Sequence, residues 1–289
     1  MSSSTAELPE SRLYTFIDEP REFALYFLEG QKLIQDLALL HSVQRAGFAY
    51  FRDVVLSIQP MIGLIKHGEQ LGFYVDSDEP YFRIKIETGH HGATRCMILP
   101  EDFQEFPPAM RGLVRILKVF PNNQPPYESV LEVDSLPLGE IVNRVLRDSY
   151  QMPCAARVSQ DSDQSLLLNR LPQLRGKDAS EYSLGAVEER WEQIRESITA
   201  IFRQHLCATD AIGAAFADAG FRLLSSRPVL FQCSCSRERM IQNVHSVYKT
   251  EGDSLFDPGK QTLEAKCEYC KTRYEISRAD LRNQHSSPN

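Results

Sequence analysis

Residues 233–235 read Cys-Ser-Cys, and residues 267–270 read Cys-Glu-Tyr-Cys. These two pairs hold four of the chain's seven cysteines. When a fold brings two such pairs together, they can present four thiolates at the corners of a tetrahedron, the geometry of a closed structural zinc site. Soft thiolates select zinc over harder cations, although an all-sulfur tetrahedron also suits an iron–sulfur centre. The predicted ligands of one Zn²⁺ ion are Cys233, Cys235, Cys267 and Cys270.

Each cysteine pair is also placed to react with itself. In an extended segment, Cys233 and Cys235 would have Cα atoms near the upper limit that a disulfide tolerates, so their bond would be strained and easily reduced. A bond between Cys267 and Cys270 would resemble the redox motif of thiol oxidoreductases. Flanking basic residues would offset the charge of four thiolates and favour this reactive form. These bases are Arg237, Arg239, Lys266, Lys271 and Arg273.

Two interpretations of the cysteine cluster remain open from its spacing alone. In the first, the metal only holds a small zinc ribbon together. In the second, the site is a switch, because metal binding supplies roughly 10–16 kcal/mol of folding free energy in zinc-finger peptides. Oxidation of the ligands would then remove the metal and unfold the domain.

The residues around these cysteines resemble a known family. The segment 231–239, Phe-Gln-Cys-Ser-Cys-Ser-Arg-Glu-Arg, and the later C-x-x-C are similar to the C-terminal signature of the heat shock protein 33 family. This family comprises bacterial redox-regulated holdase chaperones, also called 33 kDa chaperonins. A weaker resemblance extends upstream, where Tyr-Glu-Ser-Val at 127–130 and Gly-Glu-Ile at 139–141 look like the family's segment leading into a helix.

The resemblance implies a function that involves no enzymatic catalysis. Such chaperones are idle while reduced and bound to zinc, and oxidation converts the four ligands into two disulfides, here Cys233 with Cys235 and Cys267 with Cys270. Zinc release and unfolding of a linker then give a state that forms homodimers, binds unfolding client proteins without ATP and prevents their aggregation under oxidative or heat stress. ATP-dependent foldase chaperones would act downstream. The alternative is a constitutive zinc-ribbon module that binds a protein or an RNA partner.

Composition restricts the class of protein and its compartment. The chain has 289 residues, 42% of them hydrophobic and 25% charged, which is typical of a globular protein of about two domains. A formal net charge of −7 argues against a nucleic-acid partner bound through its phosphates. No apolar run is long enough for a membrane span, the first ten residues do not resemble a signal peptide, and the cysteine usage favours a reducing compartment. We therefore predict a cytoplasmic protein, and we find no sequence motif for catalysis.

The order of the predicted elements indicates an α+β fold with three parts. Residues 1–176 would form a mixed, largely antiparallel sheet domain with packed helices, which the resemblance makes the client-binding core. Residues 177–231 would form a metastable helical linker, and residues 232–289 a small C-terminal zinc domain that acts as the redox switch. The first boundary is placed at residues 175–177.

Hydrophobic periodicity places the individual elements. In the first domain, the predicted strands are 13–16, 71–75, 81–86, 94–99, 127–133, 154–158 and 166–171, and the predicted helices are 23–46, 54–65 and 138–149. Arg111, Arg115 and Lys118 lie at helical spacing and are interpreted as a solvated face. Beyond them, we predict helices at 184–201, 210–219, 236–247 and 277–281, an extended segment at 221–231, a hairpin of 262–266 with 273–276, and a disordered tail from 283.

The linker contains a narrow apolar stripe that we call the seam. Its members recur at alternating steps of three and four, the spacing of one helix face. They are Leu184, Val187, Trp191, Ile194, Ile198 and Ile201. Intervening charged residues, among them Arg190, are predicted to lie off the seam. The seam could pack permanently on the first domain, or it could be covered only while the zinc domain is folded and otherwise bind clients or a second copy.

Several isolated residues also resemble functional groups. The dipeptide His-His at 90–91 could ligate a metal, but the flanking glycines favour an exposed turn. Cys96, Cys154 and Cys207 are predicted to be small buried hydrophobes rather than redox partners. His245 could replace a cysteine on zinc, although a supporting or surface role fits better beside four available thiolates.

Overall fold

The computed structural model describes residues 8–122, 124–172 and 183–283, and the chain divides into two compact units. The first unit ends at Phe231 and the second begins at Gln232. The predicted boundary at 175–177 lies outside the described residues, as does the tail beyond 283. No helix in the described ranges is long and apolar enough to cross a bilayer.

The first unit is built from both strands and helices. The strands are β1 (Arg12–Asp18), β2 (Phe23–Glu29), β3 (Gln70–Glu79), β4 (Tyr81–Gly89), β5 (Ala93–Leu99), β6 (Met110–Val119), β7 (Tyr127–Leu136), β8 (Cys154–Val158), β9 (Gln164–Arg170), β10 (Arg222–Pro228) and β11 (Leu230–Phe231). The helices are α1 (Gln31–Leu40), α2 (Arg45–Ile58), α3 (Leu138–Asp148), α4 (Leu184–Arg203) and α5 (Thr209–Asp218), and a 3-10 helix at Gln59–Leu64 follows α2.

These strands form two sheets. The five-stranded sheet has the order β10-β1-β2-β9-β8, and all its pairs are antiparallel. The six-stranded sheet has the order β11-β5-β4-β3-β6-β7. It is antiparallel except at one edge, where the short β11 pairs parallel with β5. The last segment of the first unit therefore contributes an edge strand to each sheet, β10 to one and β11 to the other.

Two apolar clusters hold the first unit together. One joins the two sheets through α1, α2 and α3. The other covers the opposite face of the five-stranded sheet, where α4 and α5 pack. Strand β2 serves both clusters, because Leu28 belongs to the first and Leu25 and Phe27 to the second. The five-stranded sheet is consequently buried on both faces.

Two of the predicted elements are wrong. Residues 23–29 form β2 rather than the start of a helix, because burial on both faces produces a continuous apolar run, Phe-Ala-Leu-Tyr-Phe-Leu, that hides the alternation of a strand. Residues 110–119 form β6 rather than a helical face, with burial alternating along the strand. The other predicted strands, both hairpins of the first unit, and the helices α3, α4 and α5 are confirmed.

The second unit is small and has a sparse core. It contains α6 (Arg237–Glu251), a 3-10 helix at Gly252–Leu255, the hairpin of β12 (Thr262–Lys266) and β13 (Arg273–Ser277), and α7 (Arg278–Asn283). Its buried cluster consists of Ile241, Phe256, Ile276 and Leu281. A domain of this size with so few buried apolar side chains ordinarily needs a metal or a disulfide to fold.

Candidate metal centre

The first cysteine pair lies in the loop that leads into α6. Ser236 is the N-cap of this helix, and its Oγ accepts a hydrogen bond from the Arg239 N–H at 3.3 Å. The Arg239 guanidinium donates to the Ser234 carbonyl oxygen at 2.7 Å and to Ser234 Oγ at 2.8 Å. The Ser-Arg-Glu-Arg sequence after the cysteines therefore caps the helix and fixes the conformation of the C-x-C loop.

The second cysteine pair lies in the turn of the β12–β13 hairpin, just beyond the paired residues Lys266 and Arg273. Within this turn, the Lys271 N–H donates to the Cys267 carbonyl oxygen at 2.8 Å. The Cys267 N–H donates in turn to the Thr272 carbonyl oxygen at 2.9 Å. These two bonds curl the backbone around the thiols, so that both side chains of the C-x-x-C pair can face one point.

The fold brings all four predicted ligands together. Their sulfur atoms lie within 4.8 Å of one another. Cys235 Sγ is 3.2 Å from Cys270 Sγ, and Cys233 Sγ is 3.8 Å from Cys267 Sγ. In a tetrahedron with Zn–S bonds of about 2.3 Å, neighbouring sulfurs are about 3.8 Å apart. The cluster can therefore hold a metal ion, and its dimensions and soft donors are compatible with zinc.

The protein environment shifts the pKa values of the thiols in different directions. Burial, together with the neighbouring thiols, raises the pKa of Cys233 to about 12. Burial also raises the pKa of Cys235. At Cys270, burial is outweighed by hydrogen bonding to Thr272 and to the neighbouring thiols, which lowers its pKa to about 7. A cation at the centre would favour the thiolate form at each ligand.

Tyr274 is a neighbour of the cluster that the sequence analysis missed. Its hydroxyl oxygen lies 3.0 Å from Cys235 Sγ, and this contact raises the pKa of the tyrosine. Tyr274 pairs with Ala265 across the hairpin, so the register of β12 and β13 positions the hydroxyl. Side chains alternate along β13, so Tyr274 lies on the same face as the buried Ile276. This alternation is the sequence feature from which the inward position of Tyr274 could have been predicted.

Most of the flanking bases are engaged by carboxylates instead of compensating the thiols. The ion pairs are Arg237 with Asp280 at 2.6 Å, Lys271 with Glu268 at 3.2 Å, and Arg273 with Glu264 at 2.9 Å. Arg239 differs, because its guanidinium hydrogen-bonds to the C-x-C loop itself. The expectation that all five bases favour the thiolates is therefore replaced by a structural role for Arg239 and by local ion pairs for Arg237, Lys271 and Arg273.

The seam lies on α4 and is buried within the first unit. Val187, Ile194, Ile198 and Ile201 are at most 3% exposed and pack with aromatic side chains of the five-stranded sheet. Leu184 and Trp191 are half-buried, and the Arg157 guanidinium lies over the Trp191 ring at 4.9 Å. In this conformation the seam is covered by the first unit's own sheet.

The prediction that Arg190 lies off the seam is wrong. Its side chain is 7% exposed, and its Nη2 lies 2.8 Å from the fully buried carboxylate of Asp18 on β1. The guanidinium also lies over the Phe221 ring at 5.2 Å. Arginine can occupy this buried position because a carboxylate distant in sequence compensates its charge, and helical spacing carries no information about that partner.

The isolated residues follow the predictions with one exception. Cys96 and Cys154 are buried, but Cys207 is exposed in the loop between α4 and α5. The adjacent Leu206, rather than Cys207, packs against the core from this loop. His245 is buried on α6 and does not belong to the thiol cluster. The dipeptide 90–91 forms the predicted turn.

Together, the two sheets, the helices on them and the separate thiol-bearing unit define an α+β protein with a C-terminal module whose four cysteines could hold a metal ion. The family model described as Hsp33 protein matches residues 11–277, so the chain belongs to the Hsp33 family.

Curated relatives carry the name 33 kDa chaperonin. The protein of Shewanella loihica is 30% identical over 169 residues, which is 57% of this chain and 56% of that protein. The protein of Hahella chejuensis is 29% identical over 179 residues, or 60% and 59% of the two chains. The matched region thus spans less than two thirds of these relatives.

A solved structure shares the fold over a longer range. The crystal structure of the 33 kDa chaperonin (heat shock protein 33 homolog) from Thermotoga maritima aligns with a TM-score of 0.71. The alignment covers 95% of this chain and 97% of that one, at 14% sequence identity. This similarity shows that both chains have the same fold.

Proposed function

We propose that this protein is an ATP-independent holdase chaperone whose activity is controlled by the oxidation state of its thiol cluster. The observation that carries the proposal is the meeting of four cysteine sulfurs within 4.8 Å in the small unit of an Hsp33 family chain. The family relatives, named 33 kDa chaperonins, support the binding of unfolded clients. The seven free cysteines fit a reducing compartment, the cytoplasm.

In the resting state, Cys233, Cys235, Cys267 and Cys270 would hold one zinc ion. The ion supplies a cross-link that the sparse core of the second unit does not provide by itself. Arg239 and the cap at Ser236 hold one pair of ligands in place, and the hairpin turn holds the other. Tyr274 orients Cys235 through its hydroxyl.

Activation would begin with oxidation of the ligands. Formation of each disulfide removes two electrons and two protons from a pair of cysteine thiols, and one hydrogen peroxide molecule takes them up and is reduced to two water molecules. We propose that the bonds form within the pairs, Cys233 with Cys235 and Cys267 with Cys270. The shortest sulfur contacts in the folded unit run between the pairs instead. Once the unit unfolds, however, the short loops close at the lower entropic cost, which favours the bonds within each pair.

Oxidation alone would not uncover the seam. Its four fully buried aliphatic side chains each contribute about 1.5–3 kcal/mol by burial, so the packing of α4 is worth roughly 6–12 kcal/mol before conformational entropy is subtracted. This packing is on the first unit's own sheet. We therefore propose that activation needs a second destabilisation, such as mild heat. The uncovered seam would then bind unfolding clients or a second copy, giving a homodimer. ATP-dependent foldases would receive the clients.

The decisive experiment treats the zinc-loaded full-length protein with peroxide at a permissive and at an elevated temperature. Zinc release is followed with a chromogenic chelator, aggregation of a denatured client by light scattering, and disulfides by peptide mapping. Release of zinc, with aggregation suppressed after combined treatment, supports the chaperone. Retained zinc, or release without any client binding, favours the alternative of a constitutive zinc-ribbon module for a protein or RNA partner. The net charge of −7 already disfavours RNA. Hydrolysis of ATP or of a client during the assay would contradict the assignment as a non-enzyme.

A further inference from the structure

A cluster of three histidines lies in the first unit, away from the four clustered cysteines in sequence. His90 and His91 form the turn between β4 and β5, and His67 lies in the turn that precedes β3. One ring nitrogen from each lies within 4.8 Å of those from the other two. The ring centroids of His67 and His90 are 4.5 Å apart, and those of His90 and His91 are 3.6 Å apart. The fold thus adds a third imidazole to the His-His pair.

The backbone around these histidines is firmly held. The His90 N–H donates to the Glu69 carbonyl oxygen at 3.2 Å, which ties the two turns together. The Arg227 guanidinium donates to the His90 carbonyl oxygen at 2.9 Å. Gly92 has a φ of 85°, and a Cβ there would lie 1.9 Å from the Pro228 carbonyl oxygen, so only glycine fits. The close approach of the two turns that carry the histidines is therefore built into the fold.

We propose that His67, His90 and His91 form a binding site for a late first-row divalent cation, with Zn²⁺ as its best-suited ion. Imidazole nitrogen is a preferred ligand of such cations. Three histidines with a fourth position left to water or another ligand are an established zinc coordination. Zn–N bonds of about 2.0–2.1 Å place the nitrogens about 3.4 Å apart. The nitrogens lie within 4.8 Å of one another, and His67 and His91 are exposed, so the site closes by a small rotation of these rings.

Neighbouring groups set the strength of this site. The Gly68 N–H donates to His90 Nδ1 at 3.3 Å, and the ion replaces this contact. Partial burial, together with His91 and His67, lowers the pKa of His90, and a lower pKa favours the neutral imidazole that binds a cation. Arg227 brings a positive charge to the same turn. The histidine site is accordingly weaker than a centre of four thiolates.

The histidine site and the thiol centre differ in how their ligands react with oxidants. Imidazoles do not form disulfides, so the histidine site retains its ion under peroxide concentrations that oxidise the cysteines. The turn also adjoins the edge strand β11, because the Leu230 N–H donates to the Gly92 carbonyl oxygen at 3.1 Å. A bound ion stabilises this edge pairing. None of these properties depends on the redox mechanism proposed above.

The test adds Co²⁺ to the reduced full-length protein loaded with one equivalent of Zn²⁺, which the stronger thiol centre takes up. We expect one further equivalent of Co²⁺ to bind with visible d–d absorption and without the sulfur-to-cobalt charge-transfer band of a thiolate site. His90→Ala/His91→Ala should abolish this binding, and His67→Gln should weaken it at least about tenfold. The matched control is His205→Ala, since His205 is an exposed histidine outside the cluster. Hydrogen exchange at the Leu230 amide should slow on metal addition in the wild type only.

Three results would overturn the site. They are the absence of any Co²⁺ binding beyond the thiol centre, equal binding by the wild type and His90→Ala/His91→Ala, and equal losses in that variant and His205→Ala. Trp191 fluorescence, which reports on the fold of the first unit, verifies that each variant is folded. If a variant fails this check, His90→Asn replaces it, because asparagine retains a turn-compatible polar side chain while it removes the imidazole.

Discussion

Asp18 and Arg190 form a buried ion pair between β1 and the seam helix α4, with Arg190 Nη2 2.8 Å from the Asp18 carboxylate. The exposed Arg21 guanidinium donates to the same carboxylate at 3.1 Å. Removal of one partner from a buried pair leaves the other charge without compensation, at a typical cost of about 3–5 kcal/mol. The packing of α4 on the sheet therefore depends on a single buried carboxylate, that of Asp18.

Asp18→Asn should loosen α4 and lower the threshold for client binding. We expect the free energy of unfolding of the first unit to fall by about 3 kcal/mol, because Arg190 stays buried without its counter-ion. Urea unfolding followed by the fluorescence of Trp191, the single tryptophan, measures this change. The oxidised variant should also suppress client aggregation at a lower temperature than the oxidised wild type.

The matched control for this variant is Glu19→Gln. Glu19, the residue next to Asp18, forms an exposed ion pair with Arg222 at 3.0 Å. An exposed pair contributes about 0–1 kcal/mol, so this variant should unfold close to the wild-type midpoint. Equal destabilisation of the two variants would show that the buried pair has no special part in holding α4.

Cys233→Ser should abolish tight zinc binding. Removal of a residue that only hydrogen-bonds to a metal ligand already lowers the metal affinity about 10–100-fold. Removal of the ligand itself should therefore lower the zinc affinity more than about 100-fold. Competition with a chelator measures the affinity, and near-UV circular dichroism reports the folding of the second unit. Cys207→Ser is the control, since Cys207 is exposed and lies outside the thiol cluster. Wild-type zinc affinity in Cys233→Ser would refute the ligand assignment.

Tyr274→Phe should weaken zinc binding without removing a ligand. The substitution deletes the hydroxyl that lies 3.0 Å from Cys235 Sγ, and we expect a loss of affinity of about tenfold together with faster oxidation by peroxide. Tyr248→Phe provides the comparison, because the Tyr248 hydroxyl donates to Asp253 at 2.9 Å in the same unit but away from the thiols. If both variants release zinc at the same rate, Tyr274 has no role in orienting the ligand.

Glu29→Gln should make the first unit less sensitive to rising pH. Glu29 is 3% exposed, and burial raises its pKa from the usual 4.5 to about 7, with Asp163 adding to the effect and the Gln31 N–H opposing it. Below pH 4.5 both the folded and the unfolded chain hold the proton, so this group contributes nothing. Between pH 4.5 and 7 the unfolded chain releases it first, so stability falls as the pH rises.

The variant should therefore match the wild type at pH 4.5 and exceed its stability by up to about 3 kcal/mol at pH 7.5. The same Trp191 unfolding curves, recorded across this pH range, provide the measurement. A constant difference between Glu29→Gln and the wild type at all pH values would exclude titration of Glu29 as the cause.

Features that depend on local interactions could be predicted from the sequence, whereas features that depend on contacts between distant residues could not. The hairpin of β3 and β4 could be predicted because alternation and a proline-containing turn are local. The strand β2 could not, because burial on both faces erased its alternation. The clustering of the candidate ligands Cys233 and Cys267 was predicted from spacing, since a tetrahedral site requires close pairs. Tyr274 was missed because its approach to Cys235 depends on the hairpin register.

The sequence by itself determined the α+β class, the two cysteine pairs and the amphipathic stripe on α4, because each is a periodic or closely spaced pattern that elementary geometry converts into structure. Tertiary structure alone decided which sheet covers that stripe, that Asp18 meets Arg190, and that His67 joins His90 and His91. These contacts join residues far apart in the chain. Their partners are chosen by packing and charge compensation in three dimensions, which spacing along the chain does not encode.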